Sequence, residues 1–262
     1  MRYHIDRRMF HVEILSPKQS SVKLEDDLLA FADKYRQVIG AGYVVCIPDN
    51  AMGLLAFQGI ELIEELDLPA PPEQVSVHLN SFHTKKEFDS MLGRARTLAL
   101  RHLLVISGDG SPRLPKLSGR DLGYDVASVT SVELLKYIHR EHPGAFEIGV
   151  AFNPYEPREH EMDKLRRKVD AGAAFITTQP IIEADPCIAE LQQFGLPIVV
   201  EAWMSKKLHL LSECVGYEIP EDTPYDPMAN LATLIRNYPG CGFYLAICGF
   251  KTQFPHLGQL WN

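Results

Sequence analysis

The sequence has no apolar run long enough to cross a bilayer, and its opening Met-Arg-Tyr-His-Ile-Asp-Arg-Arg lacks the apolar centre of a secretory signal. It has no excess of basic charge either. The formal net charge is −8, which disfavours nucleic acid and anionic membranes as partners. The five cysteines, at 46, 187, 214, 241 and 248, are odd in number and show no CxxC spacing. That argues for reduced thiols and against a disulfide framework. Cys214, Cys241, Cys248 and His209 offer no closely spaced ligand pair, so no metal is expected. Ser-Gly-Asp-Gly-Ser at 107–111 lacks both the GxGxxG spacing and a Walker lysine. Linkers, repeats and low-complexity stretches are also missing. These absences lead us to expect a cytoplasmic protein without nucleic-acid or membrane partners.

What is present fits one large core. A chain of 262 residues with 46 % hydrophobic content is close to the roughly 250 residues of a (β/α)8 barrel, so residues 1–262 are read as a single domain. Short apolar runs at 10–15, 43–47, 74–79, 102–107, 146–152, 174–178, 197–202 and 243–248 read as strands covered on both faces. Amphipathic segments at 24–38, 53–66, 84–100, 130–142, 159–171, 184–194 and 226–237 alternate with them, and 204–214 is a further short helix. Thr84, three residues before Glu87, marks one helix start, and Gly195 follows a helix end. The pattern predicts a TIM barrel, an open doubly wound sheet being the alternative. Residues 249–262, which hold Pro255 and two glycines, leave little room for a full closing helix.

Polar residues at the carboxyl ends of barrel strands converge on one face, where substrates bind. Glu13 lies in the apolar run His-Val-Glu-Ile-Leu, where burial disfavours its charged form and suits it to general-acid work. The bland alternative is a Glu bonded to a nearby Lys or Arg. Asp109 follows the fourth strand between Gly108 and Gly110, where glycines permit close approach of a ligand to the backbone; an ordinary turn Asp is the alternative. His78 ends the third strand and reads equally as a satisfied core histidine, and Gln179 before Pro180 equally as a strand terminator.

Together these positions resemble the methylenetetrahydrofolate reductase family. Glu13-Ile-Leu-Ser-Pro-Lys is similar to its Glu-Phe-Phe-Pro-Pro-Lys opening, and His78-Leu-Asn-Ser to its Pro-His-Leu-Thr-Cys strand. Arg101-His-Leu-Leu-Val-Ile-Ser-Gly-Asp109 resembles a strand ending in Arg-Gly-Asp, and the most specific likeness is Lys164-Leu-Arg-Arg-Lys-Val-Asp-Ala-Gly-Ala with Thr178-Gln179. The resemblance implies that Glu13 protonates a folate nitrogen while Asp109 and Gln179 hold the pterin. It also places His78, Gly108, Phe152 and Lys168 at the cofactor.

Departures from the family pattern bear on that cofactor. Ser107 stands where the family has Arg, which removes a permanent cation. Phe152-Asn-Pro-Tyr-Glu-Pro157 replaces Tyr-Pro-Glu-x-His-Pro, losing a hydroxyl and putting Glu156 in the His position. Ile47 stands for a Thr, Lys168 is retained, and Glu161 replaces an Asp. The expectation is weakened FAD binding, with substitutes at Arg113, Lys116 or Arg120 as the alternative. The resemblance therefore implies reduction of 5,10-methylenetetrahydrofolate with NAD(P)H by direct hydride transfer, FAD being doubted. Two rivals remain: a tetrahydrofolate-dependent methyl- or one-carbon-transferase, and a non-catalytic pterin-binding partner subunit. A homo-oligomer is compatible with each.

Overall fold

Strand alternation decides which side chains reach the centre of the molecule. The computed structural model describes residues 10–108, 110 and 114–261. Eight parallel strands close into a barrel in sequence order: β1 Phe10–Glu13, β2 Val44–Ile47, β3 Val75–Leu79, β4 His102–Val105, β5 Glu147–Phe152, β6 Phe175–Pro180, β7 Ile198–Trp203 and β8 Gly242–Ala246. The helices are α1 Leu24–Gly40, α2 Gly59–Glu65, α3 Lys85–Thr97, α4 Gly119–Leu122, α5 Ser131–Glu141, α6 Arg158–Asp170, α7 Cys187–Gln192, α8 Leu208–Val215 and α9 Pro227–Asn237. The predicted TIM barrel is the observed fold, and the segment after β8 is a 3-10 helix, Phe254–Trp261, in place of a closing α-helix.

Period-two alternation sorts each strand into two faces. Val12, Val45, Val77, Leu103, Val150 and Leu245 join the helices' apolar faces in the larger core cluster, between barrel and helix ring. Val44, Cys46, Leu104, Phe175, Val199 and Tyr244 form a second cluster, which fills the barrel and meets α8. Helix starts are well punctuated. Thr84, Ser118 and Thr130 each complete a capping box, with Glu87, Asp121 and Glu133 respectively.

Besides the short helix α4, which was not predicted, two elements differ from expectation. The predicted helix 53–66 is a 3-10 turn, Ala51–Gly53, then a loop, then α2. The loop is drawn out of the helix because Asn50 Oδ1 accepts from the Ala56 N–H at 3.1 Å and Ala56 bridges to Lys18. Strand β8 stops at Ala246 because Ile247 turns to φ 56°, a left-handed conformation that a β-branched residue rarely adopts.

Inside the barrel, Phe175 fills the space that Gly149 on the neighbouring strand leaves empty. A Cβ at Gly149 would lie 2.1 Å from the Phe175 ring. Gly149→Ala is therefore expected to destabilise the fold by about 1–3 kcal/mol through overpacking. Urea unfolding checks this: the midpoint should fall with little change in slope.

Candidate active site

At the carboxyl end of β1, the Glu13 side chain turns inward. Tyr244 Oη, on the neighbouring β8, donates to Glu13 Oε2 at 2.7 Å, and the Ile247 N–H donates to Oε1 at 3.1 Å. The unusual backbone of Ile247 thus lies where it aims an N–H at an acid, and strain of this kind costs about 1–3 kcal/mol. Burial raises the Glu13 pKa above its ordinary value, and the two donors oppose that rise. The partners of Glu13 are therefore a phenol and an amide, which corrects the alternative of a neighbouring Lys or Arg.

A second carboxyl, unforeseen in the sequence, faces the same space. Glu201 sits in β7 in register with Tyr244 of β8. Burial, and secondarily the nearby Glu13 charge, push its pKa well above the usual carboxylate range. Its backbone N–H donates to Thr178 Oγ1 at 3.1 Å, where β6 shifts register between Thr177 and Pro180. That irregularity lies beside Gln179. Among the described residues, Glu201's carboxyl has no hydrogen-bond partner. Glu13, Gln179, Glu201, Asn153 and Trp203 line one cavity of about 680 Å³ at the mouth. Among the described residues, the ionisable groups along its wall include Glu13, Glu201, Glu213 and Lys18.

The remaining predicted residues are dispersed. His78 is buried inside the barrel with its ring 5.8 Å from that of Tyr244; burial lowers its pKa to about 4, so it is neutral. Gly108 adopts φ 82°, and a Cβ there would meet the Asn80 side chain at 2.7 Å. Its side-chain space is taken by Asn80 rather than left open for a ligand. Asp109 lies outside the described residues, as does Arg113. Lys168 is buried, donates to the Ala151 carbonyl at 2.6 Å, and has its pKa lowered by burial to about 8; it does not line the cavity.

Phe152 and Ile47 need correction. Phe152 is fully buried in the layer between barrel and helices, beneath the Arg158 guanidinium at 5.8 Å. Ile47 is packed in the same layer, against the spot where a Cβ on Gly59 would lie 2.7 Å from it. Neither side chain faces the mouth, so a group bound there meets these two positions through backbone alone. Ser107 and Glu156 are both exposed.

A buried polar cluster beside the mouth also escaped the sequence reading. Asp49 Oδ2 accepts from His83 Nε2 at 2.6 Å and the Asn80 N–H at 3.0 Å, while Oδ1 accepts from Asn50 Nδ2 and Gln58 Nε2, both at 3.1 Å. It ties the loop after β2 to the loop after β3. The only hint in the sequence is the Pro48-Asp49-Asn50 turn.

Comparison with known proteins agrees with the motif resemblance. The family model described as methylenetetrahydrofolate reductase matches residues 7–201. Methylenetetrahydrofolate reductase 1 of Schizosaccharomyces pombe is 31 % identical over 145 residues, which take in 49 % of this chain and 23 % of that protein. The chain thus spans less than a quarter of that relative's length. Among solved structures, a 2,3-dimethylmalate lyase of the PEP mutase/isocitrate lyase superfamily is similar at TM-score 0.49 and 10 % identity, covering 96 % of this chain and 79 % of its own. Yersinia pestis dihydropteroate synthase is similar at 0.46 and 12 %, covering 92 % and 87 %. At those values neither structure informs the chemistry. Glu13, Gln179 and strands β1 to β6 lie within the matched span, and this chain belongs to the methylenetetrahydrofolate reductase family.

Proposed function

We propose that this protein reduces 5,10-methylenetetrahydrofolate to 5-methyltetrahydrofolate, with hydride passing directly from NAD(P)H to the folate. The observation that carries the reading is Glu13. Its half-buried side chain lines the mouth, with the carboxyl bonded to Tyr244 Oη and the Ile247 N–H, and removal from water favours its acid form. Opening the five-membered ring of the substrate needs a proton on N10, which leaves an N5 iminium to be reduced. An acid with a raised pKa supplies that proton near neutral pH. Gln179, on the same cavity wall, offers both a donor and an acceptor to the pterin edge. Asp109 remains the proposed partner for the pterin's amino and ring N–H groups.

The wall does not suit a permanently held FAD. Among the described residues the wall offers a diphosphate one ammonium, Lys18, opposed by the exposed carboxyl of Glu213, and unneutralised phosphate beside carboxylate is repulsive. Ser107 brings no charge, Glu156 brings an acid, and Lys168 is committed to the Ala151 carbonyl. NAD(P)H, the hydride source in this reading, has to leave after each turnover and does not need tight diphosphate binding. Glu13 and Gln179 then hold the folate, while most of the rate comes from keeping donor and acceptor in contact.

Initial-rate kinetics on the purified protein, with FAD added and without it, test the proposal. The expected result is NAD(P)H oxidation that depends on methylenetetrahydrofolate, with intersecting double-reciprocal lines and no flavin absorbance. Parallel lines, or a yellow protein bleached by NAD(P)H and recoloured by methylenetetrahydrofolate, would refute direct transfer. Absence of reduction combined with methyl transfer to or from tetrahydrofolate would replace the reductase reading by the transferase.

A further inference from the structure

We propose that Glu201 is an auxiliary acid of this site: it forms a carboxyl pair with Glu13, keeps a proton on that pair near neutral pH, and refills Glu13 after each proton transfer. The placement comes first. β7 and β8 are in register at Glu201 and Tyr244, and Tyr244 Oη donates to Glu13, so the phenol lies between the elements that carry the two acids. Both acids line the same cavity. Glu13 accepts two hydrogen bonds, which favour its ionised form, whereas Glu201 accepts none among the described residues. Of two half-buried carboxyls on one cavity wall, the one without donors keeps its proton longer. The pair then titrates in two steps that belong to both residues.

The surroundings leave this proton on the carboxyls. On the strands facing the pair, burial makes His11 and His78 poor bases, with pKa values lowered to about 3 and about 4. His102 on β4 is lowered in the same way, and the Cys46 thiol and Tyr244 phenol are pushed well up, so neither gives up its proton. Tyr155, which also feels the Glu201 charge, is likewise raised by burial. At the rim lie Lys18, Glu213 and Cys214, the first two exposed to solvent.

The inference rests on the reductase reading for its last step, and the protons balance as follows. Glu13 gives its proton to the substrate nitrogen and becomes a carboxylate. The Glu201 hydroxyl passes its proton to Glu13, directly or through one water. Glu201 recovers a proton from solvent through the open mouth.

Glu201→Gln tests this by two measurements. In protein labelled with 13C at the glutamate δ-carbon, with signals assigned by their loss in Glu13→Gln and Glu201→Gln, the wild-type Glu201 carboxyl should remain protonated through neutral pH. That arm does not depend on any reaction, so it decides the pair even if the protein proves not to be a reductase. In turnover assays, the alkaline limb of kcat against pH should move down by about one pH unit in Glu201→Gln. The rate should fall less on the acid side, where solvent reprotonates Glu13 more readily, than on the alkaline side, and Glu201→Asp should restore the limb. A purely structural role lowers the rate at every pH and leaves the limb in place. A Glu201 signal already ionised at neutral pH, or an unmoved limb in a folded Glu201→Gln protein, would overturn the proposal.

Discussion

Replacing Glu13 by glutamine is expected to lower kcat by about a hundredfold or more while leaving folate affinity within several-fold. The amide is nearly isosteric with the carboxyl. Its oxygen still accepts from Tyr244 Oη or the Ile247 N–H, the two donors that hold Glu13 at 2.7 and 3.1 Å. The floor of the cavity should therefore keep its shape, and substrate should bind nearly as before. What is lost is the proton. In the proposed reaction N10 would then have to depart as a poor leaving group, and no iminium would form for hydride to reach. Because the interaction matters only as the ring opens, the loss belongs in kcat and not in binding. Single-turnover rates and a separately measured folate Kd distinguish the two. Near-wild-type turnover in the variant would remove Glu13 from the role of acid, and equal losses in affinity and rate would make it a binding residue instead.

The barrel was legible in the sequence because parallel strands covered on both faces read as short apolar runs. The site was legible only in part. Glu13 was found because an acid interrupts such a run, yet Glu201, in Pro-Ile-Val-Val-Glu-Ala-Trp, interrupts one in the same way and was passed over. Strand periodicity gave the signal at both places, and only the first also had a family motif to single it out. Ile47 and Phe152 were misjudged for the opposite reason. Both stand near the carboxyl ends of strands, but alternation turns one residue toward the mouth and the next toward the helices. A shift of one position would have named Pro48 and Asn153, which do line the cavity. Asp49 could not be read at all. Its partners Asn80 and His83 lie 31 and 34 residues further along the chain, and only closure of β2 against β3 brings them to it.

Asp49→Ala is expected to destabilise the protein by about 3–5 kcal/mol, the range for removing one member of a buried ion pair or charged hydrogen-bond cluster. The Asp49 side chain is 1 % exposed and His83 6 %, so water cannot readily replace the lost carboxylate. Four donors lose their acceptor at once: His83 Nε2, the Asn80 N–H, Asn50 Nδ2 and Gln58 Nε2. Leaving buried donors unpaired costs more than their hydrogen bonds contribute when formed. Domain stabilities are themselves only about 5–15 kcal/mol, so such a loss is a large share of the whole. The effect should also reach the mouth. Asn80, held by Asp49 through its N–H and through Nδ2 to the Asp49 carbonyl at 2.9 Å, packs on Gly108, one residue before Asp109 in the chain. A loosened Asn80 frees that turn, so folded Asp49→Ala protein should show a raised KM for folate. Asp49→Asn, which keeps one acceptor oxygen, should fall between wild type and alanine in both respects. Urea unfolding curves at neutral pH measure the first effect and steady-state kinetics well below the transition the second. A loss under about 1 kcal/mol in Asp49→Ala would mean that the cluster is readily rehydrated, and that the two loops are held by their backbone contacts alone.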